Sequence, residues 1–170
     1  MSPPVKIVFG TGPFGDRITG DSAKEAIDLF HKHGHVELDT AATYPPTSPG
    51  ASESEIGKVH PVWARVSTKV LVGVEQANSR EKVEQSLQGS LERLNGLDVD
   101  VFYFHTPDAT PLEEQAAVMD DAYKAGKFKR FGVSNFSPQQ IEELVEIAER
   151  KGEWLLLRLC LVCPFCSIWF

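Results

Sequence analysis

Cysteine is missing from nearly all of this 170-residue chain: all three, Cys160, Cys163 and Cys166, fall in the last eleven positions. A cysteine-free body fits a reducing compartment better than a disulfide-stapled secreted fold. Absent too is a secretory leader, since Met1-Ser2-Pro3-Pro4-Val5-Lys6 has neither a positively charged start nor an apolar stretch, so the chain reads as cytoplasmic. Basic runs are also lacking. With a formal net charge of -7 and no clustered Lys/Arg face, nucleic acid is excluded as a partner, although a local cationic pocket for one anionic cofactor is compatible. What is present is ordinary globular composition, 42% apolar and 24% charged, enough for one substantial core.

Taken in order, the chain alternates short β-prone runs with amphipathic helices. Lys6-Ile7-Val8-Phe9 breaks into Gly10-Thr11-Gly12-Pro13-Phe14-Gly15, whose glycines let backbone approach a ligand, though the spacing is not a dinucleotide fingerprint. Ser22 and Glu25 form a capping-box pattern, and Ala23, Ala26, Ile27 and Phe30 share one helical face that ends at Gly34. A strand from Val36 to Asp39 follows, then a Pro/Gly loop and a short helix from Glu53 to Val59. The third unit pairs a strand at Ala64 to Lys69 with a helix capped by Ser79 and striped by Val83, Leu87, Leu91 and Leu94. Asp100 to His105 contains a continuous apolar run, as suits a parallel strand buried on both faces. Its helix is expected to be capped by Thr110, with Pro111 at the first helical position, and to stop at Gly126. Phe131-Gly132-Val133 is the fifth strand, and Ser137-Pro138 opens a helix with Ile141, Leu144, Val145 and Ala148 inside and Gly152 as its stop.

Five units of about 30 residues each imply a parallel sheet with helices packed outside. Alternation alone leaves an open doubly wound sheet and a (β/α)8 barrel both standing. The polar strand exits favour the barrel, because there the carboxyl ends of all strands converge on one mouth. The expected fold is therefore α/β, a partial (β/α)8 TIM barrel of about five βα units over residues 1–152, with a divergent hydrophobic tail over 153–170.

Those strand exits carry the candidate site. Asp39 ends the second strand and Tyr44 follows it by five residues; Lys69, His105 and the pair Ser134-Asn135 end the next three. Each has a plain explanation when taken singly: Asp39 caps a turn, Lys69 reaches water with its amine, His105 closes an aromatic strand, and Tyr44 decorates a loop. A buried-strand aspartate nevertheless demands a partner.

Together they resemble a known pattern. Asp-Thr-Ala-x-x-Tyr at 39–44, Ser-Thr-Lys at 67–69, an aromatic strand ending in His105, and Gly-Val-Ser-Asn-Phe at 132–136 are similar, in order and spacing, to the motifs of the aldo-keto reductase superfamily. The run from His105 to Glu113 resembles its aflatoxin-aldehyde-reductase-like subgroup, and the likeness covers about residues 5 to 152. It implies reduction of a small-molecule aldehyde or ketone by hydride from NADPH, with Tyr44 as general acid, its phenol lowered by Lys69. Asp39 would hold Lys69, and His105 would position the carbonyl. The resemblance also implies cofactor contacts from Ser134 and Asn135 to the nicotinamide carboxamide, and from Gly10, Thr11 and Asp39 nearby. Phe14, Trp63 or Pro45 are expected to shape an apolar substrate pocket.

Members of that family continue through strands six to eight, so the resemblance implies truncation after the fifth unit. The tail reads as intron-derived or frame-shifted sequence, given its abrupt composition. A membrane-inserting segment falls short of the roughly 20 apolar residues needed, and the Cys-x-x-Cys-x-x-Cys pattern lacks a fourth zinc ligand. Leu155 to Leu159 could pair as a sixth strand. The competing expectation is a non-catalytic aldo-keto-like binding protein or a membrane-associated truncated product.

Overall fold

The computed structural model describes residues 6–151 and the backbone of 160–162. Six parallel strands form one sheet in sequence order: β1 (Val8–Gly10), β2 (Glu37–Asp39), β3 (Arg65–Lys69), β4 (Val99–Phe104), β5 (Arg130–Ser134) and β6 (Cys160–Val162). Helices α1 (Gly20–Lys32), α2 (Ala51–Val59), α3 (Arg80–Arg93), α4 (Leu112–Lys124) and α5 (Pro138–Lys151) connect successive strands. Neighbouring strands that are also consecutive in the chain, each joined by a helix, make an arc of a barrel rather than a doubly wound sheet, whose order would reverse. The sixth strand is Cys160–Val162, paired through Gly132↔Cys160 and Ser134↔Val162. The expected strand at 155–159, the Gly152 stop and the side chains of the cysteine tail lie outside the described residues.

Register brings the polar exits level. Gly10 is opposite Asp39, Asp39 opposite Ser67, Lys69 opposite Tyr103, and Phe104 opposite Val133. Because side chains alternate along a strand, β4 splits its aromatic run. Phe102 and Phe104 join the main core under the helices, whereas Val101 and Tyr103 form a separate inner cluster. The outer set is dense with rings, Phe104 meeting Phe131 edge-on at 5.5 Å and lying 6.2 Å from Phe136. Burying each such ring contributes roughly 1.5–3 kcal/mol, so β4 and β5 are held chiefly by apolar packing.

Several helix starts differ from expectation for a tertiary reason. Helix α1 begins at Gly20, two residues before Ser22, because Gly20 N donates to Glu55 Oε2 of α2 at 2.8 Å; Ser22 lies exposed in its first turn. Ser79 does occupy the N-cap of α3 but makes no side-chain cap bond; Arg80 N donates to Glu114 Oε1 of α4 instead, at 3.0 Å. At α4 the N-cap is Pro111 rather than Thr110, and Thr110 is held below it by Asp108 and Gln115. Among the described helices only α5 shows the reciprocal box, Gln140 N donating to Ser137 Oγ and Ser137 N to Gln140 Oε1. Its buried face uses Leu144, Ile147 and Ala148, with Val145 at the flank. Among the described residues no helix is long and apolar enough to cross a membrane.

Candidate active site

Lys69 is the centre of the mouth. Its side chain is almost wholly buried, and Nζ donates to both oxygens of Asp39, at 2.8 and 2.7 Å, and to the Thr40 carbonyl at 2.7 Å. A buried ammonium survives only with such partners. Burial pulls its pKa below the usual lysine value, and Asp39, then Glu53, act against that fall. Two phenol rings flank the amine, Tyr44 with its centroid 5.2 Å away and Tyr103 at 5.8 Å. Tyr103 fits beneath because its register partner is Gly132, where an added Cβ would lie 2.1 Å from the Tyr103 ring.

Tyr44 and His105 meet edge to face, ring centroids 5.6 Å apart. The Tyr44 phenol is raised above 10.0, first by burial and then by the Asp39 carboxylate. This corrects the expectation that Lys69 lowers it: the ammonium is already neutralised by the carboxylate it grips, so burial dominates. His105 moves the other way, its imidazole pushed below 6.5 first by burial and next by the Lys69 ammonium. The resting site therefore pairs a protonated phenol with a neutral imidazole.

On the far side, Ser134 is buried at the end of β5 and Asn135 is exposed in the left-handed region at φ 63°. Asparagine tolerates that conformation better than most residues. Its Nδ2 donates to the His105 carbonyl at 2.8 Å and to Ser134 Oγ at 3.1 Å, which ties the two strand exits together. Among the described residues Asn135 Oδ1 has no hydrogen-bond partner, and it can accept. Gly10 ends β1 with nothing within 4 Å of where a Cβ would stand. Thr11 is fully buried; its N–H and hydroxyl both donate to the Asp39 carbonyl, at 2.9 and 3.0 Å.

Of the three expected pocket residues, none opens on the mouth. Phe14 is completely buried in the core, Pro45 is buried, and Trp63 precedes β3 at the strand-entry end, stacked on His31 at 3.8 Å. The β3–α3 loop instead presents Leu71, Val72 and exposed Val74 just past Lys69. Sequence reasoning also passed over Tyr103, Thr40, Ser52 and Glu53. The signal for Tyr103 was a lone phenol in an apolar strand facing a glycine, and for Thr40 its place next to Asp39 in the quoted motif; for Ser52 and Glu53 there was none, since polar residues opening a short helix look like surface. Among the described residues no group of three or more His, Cys, Asp or Glu could hold a metal ion.

A sequential arc of parallel βα units with its polar side chains gathered at the carboxyl ends of the strands defines a barrel-type α/β protein. The chain belongs to the aldo/keto reductase family, whose model matches residues 6–158. It is 32% identical over 161 residues to human aflatoxin B1 aldehyde reductase member 2, an alignment covering 91% of this chain and 44% of that protein. It is likewise 32% identical to an aldo-keto reductase of Pseudocercospora fijiensis, over 74% of this chain and 44% of the relative. With aldo-keto reductase YhdN of Bacillus subtilis the identity is 29%, over 84% and 47% respectively. The chain thus spans less than half the length of these relatives.

Proposed function

We propose that the protein is an oxidoreductase that reduces the carbonyl of a small aldehyde or ketone with NADPH at the strand-exit site. The observation that carries this reading is the Lys69 ammonium, gripped by Asp39 and set against the Tyr44 ring. A reduced nicotinamide, when bound, supplies the hydride. The reacting oxygen then needs a proton, and Tyr44, kept protonated by burial, donates it. Lys69, its charge held by Asp39, fixes the place of the Tyr44 ring, with Nζ 5.2 Å from the ring centroid. His105, held neutral, offers an imidazole N–H to the oxygen as its charge grows. The aflatoxin B1 aldehyde reductases among the relatives favour aldehydes as the substrate class.

The residues present fit the nicotinamide end of the cofactor. Asn135 has spent its Nδ2 on His105, so its Oδ1 is the group free to accept from a carboxamide, with the Ser134 hydroxyl beside it. Open space at Gly10 lets a flat ring approach β1, and Thr11 fixes Asp39 from below. One observation favours the alternative, a non-catalytic aldo-keto-like binding protein: segments 10–19, 40–50, 69–79, 104–111 and 134–137 contain only Arg17 and Lys69 as Lys or Arg. Lys69 is committed to Asp39, which leaves the described mouth with little charge for a pyrophosphate.

Titration of the purified protein with NADPH, followed by nicotinamide fluorescence and then by carbonyl turnover, separates the two. Saturable binding with turnover supports the oxidoreductase. A folded protein that neither binds NADPH nor reduces aldehydes leaves the non-catalytic reading in possession.

A further inference from the structure

Ser52, in the first turn of α2, touches three of the segments that build the mouth. It is completely buried. Its backbone N–H donates to the Tyr44 carbonyl at 3.0 Å. Its hydroxyl donates to the Thr11 carbonyl at 2.8 Å and lies 3.0 Å from Thr11 Oγ1 and 2.9 Å from Thr40 Oγ1. Two of those contacts lead to the backbone that carries the Asp39–Lys69 pair. Thr11 is the residue whose N–H and hydroxyl hold the Asp39 carbonyl, and Thr40 is the residue whose carbonyl receives Lys69 Nζ.

We infer that Ser52 is a positioning residue for the Asp39–Lys69 pair, acting through the buried hydroxyl cluster it forms with Thr11 and Thr40. A hydroxyl at this place has one proton to give and two lone pairs to offer. With its proton on the Thr11 carbonyl, it can accept from Thr40, so one side chain joins β1, β2 and α2 where water has no access. Alanine there would leave the Thr11 carbonyl short of a donor and Thr40 short of an acceptor, in a region too buried for solvent to compensate. The strand exits would then relax, and the grip of Asp39 on Lys69 with them. The inference rests on reading Lys69 as a site residue, and it extends that reading to the first turn of α2.

The groups facing Lys69 are Asp39 from β2, Glu53 from α2, His105 after β4, and the rings of Tyr44 and Tyr103. None is altered by Ser52→Ala, nor by Thr40→Val, an isosteric change that removes the hydroxyl partner and keeps the carbonyl. The test is an NMR titration of ε-13C-lysine-labelled protein, with the Lys69 resonance assigned from Lys69→Met. Weaker pairing to Asp39 lowers the Lys69 midpoint by about half a pH unit in both variants, a roughly threefold loss of proton affinity. A Lys69 midpoint unchanged in both folded variants, even with a lowered Tm, would make the cluster a structural knot only and overturn the inference. Carbonyl turnover is read separately. A shifted Lys69 in a protein without turnover would keep the positioning role and sink the proposed chemistry.

Discussion

The two sides of the mouth are built by opposite means. On the β1–β3 side, buried polar atoms do the holding: Ser52, Thr11 and Thr40 knot three elements, and Glu53, wholly buried, accepts from Thr68 Oγ1 at 2.5 Å and from Arg93 Nε at 2.7 Å. On the β4–β5 side rings do most of it, with Phe102, Phe104 and Phe131 fully buried; polar ties join them from Asn135 at the exits, from Arg130 to Asp100 at the strand-entry end at 2.6 Å, and from buried Asn78 to the Thr106 carbonyl at 2.9 Å. Charge follows construction. The groups proposed to handle a proton stand on directional hydrogen bonds, which fix angle as well as distance, and those proposed to hold the nicotinamide amide stand on a non-directional apolar platform.

The comparison breaks most visibly at the proton-handling groups. Tyr44→Phe or Lys69→Met should each lower carbonyl turnover by about 10²–10⁴-fold, the range for a positioned proton donor, and Tyr44→Phe should leave Tm almost unchanged. Next in size is Glu53→Gln. Turning a buried carboxylate into an amide weakens the bonds from Arg93 and Thr68, at a cost of about 2 kcal/mol in denaturant unfolding, and it should lower turnover as well. Phe131→Leu is the counterpart on the apolar side. It should cost about 1–2 kcal/mol from lost ring volume while kcat stays near the parent value, because no directional tie to the site is cut. The smallest effect belongs to His105. Its pKa is depressed in the fold, so the unfolded chain binds more protons as pH falls below about 6.5. Stability is then full above that pH and declines below it, and His105→Gln should flatten that part of a Tm-against-pH curve.

Local signals reported the fold well where the determinants were local. The Ser137-Pro138 helix start, the stripe of Val83, Leu87 and Leu94, and the left-handed stops at Gly34 and Gly126 all stand where the sequence placed them. Errors arose where one helix finishes another. Glu55 satisfies the first N–H of α1 and Glu114 that of α3, and nothing in residues 19–25 or 79–82 announces a partner some 35 positions away. The same division holds at the site. Asp39, Lys69 and His105 stood out as polar residues ending strands, whereas Tyr44, in the loop five residues past β2, was singled out through the motif resemblance. Ser52 and Glu53 were not, since a Ser-Glu pair opening a short helix looks solvent-facing until α3 and β3 are packed over it. The phenol's direction was missed for a related reason: a spacing puts Lys69 near Tyr44 but does not show how completely Asp39 has claimed its charge.

The most direct test is the pH dependence of carbonyl reduction by the protein at saturating NADPH. With Tyr44 as the donor, raised above 10.0 by burial and Asp39, the rate should run level through about pH 6.5 and fall only far on the alkaline side. A rate that instead falls as pH rises through the range below about 6.5, where burial and Lys69 place the His105 imidazole, would mean that His105 delivers the proton, and the assignment to Tyr44 would be contradicted.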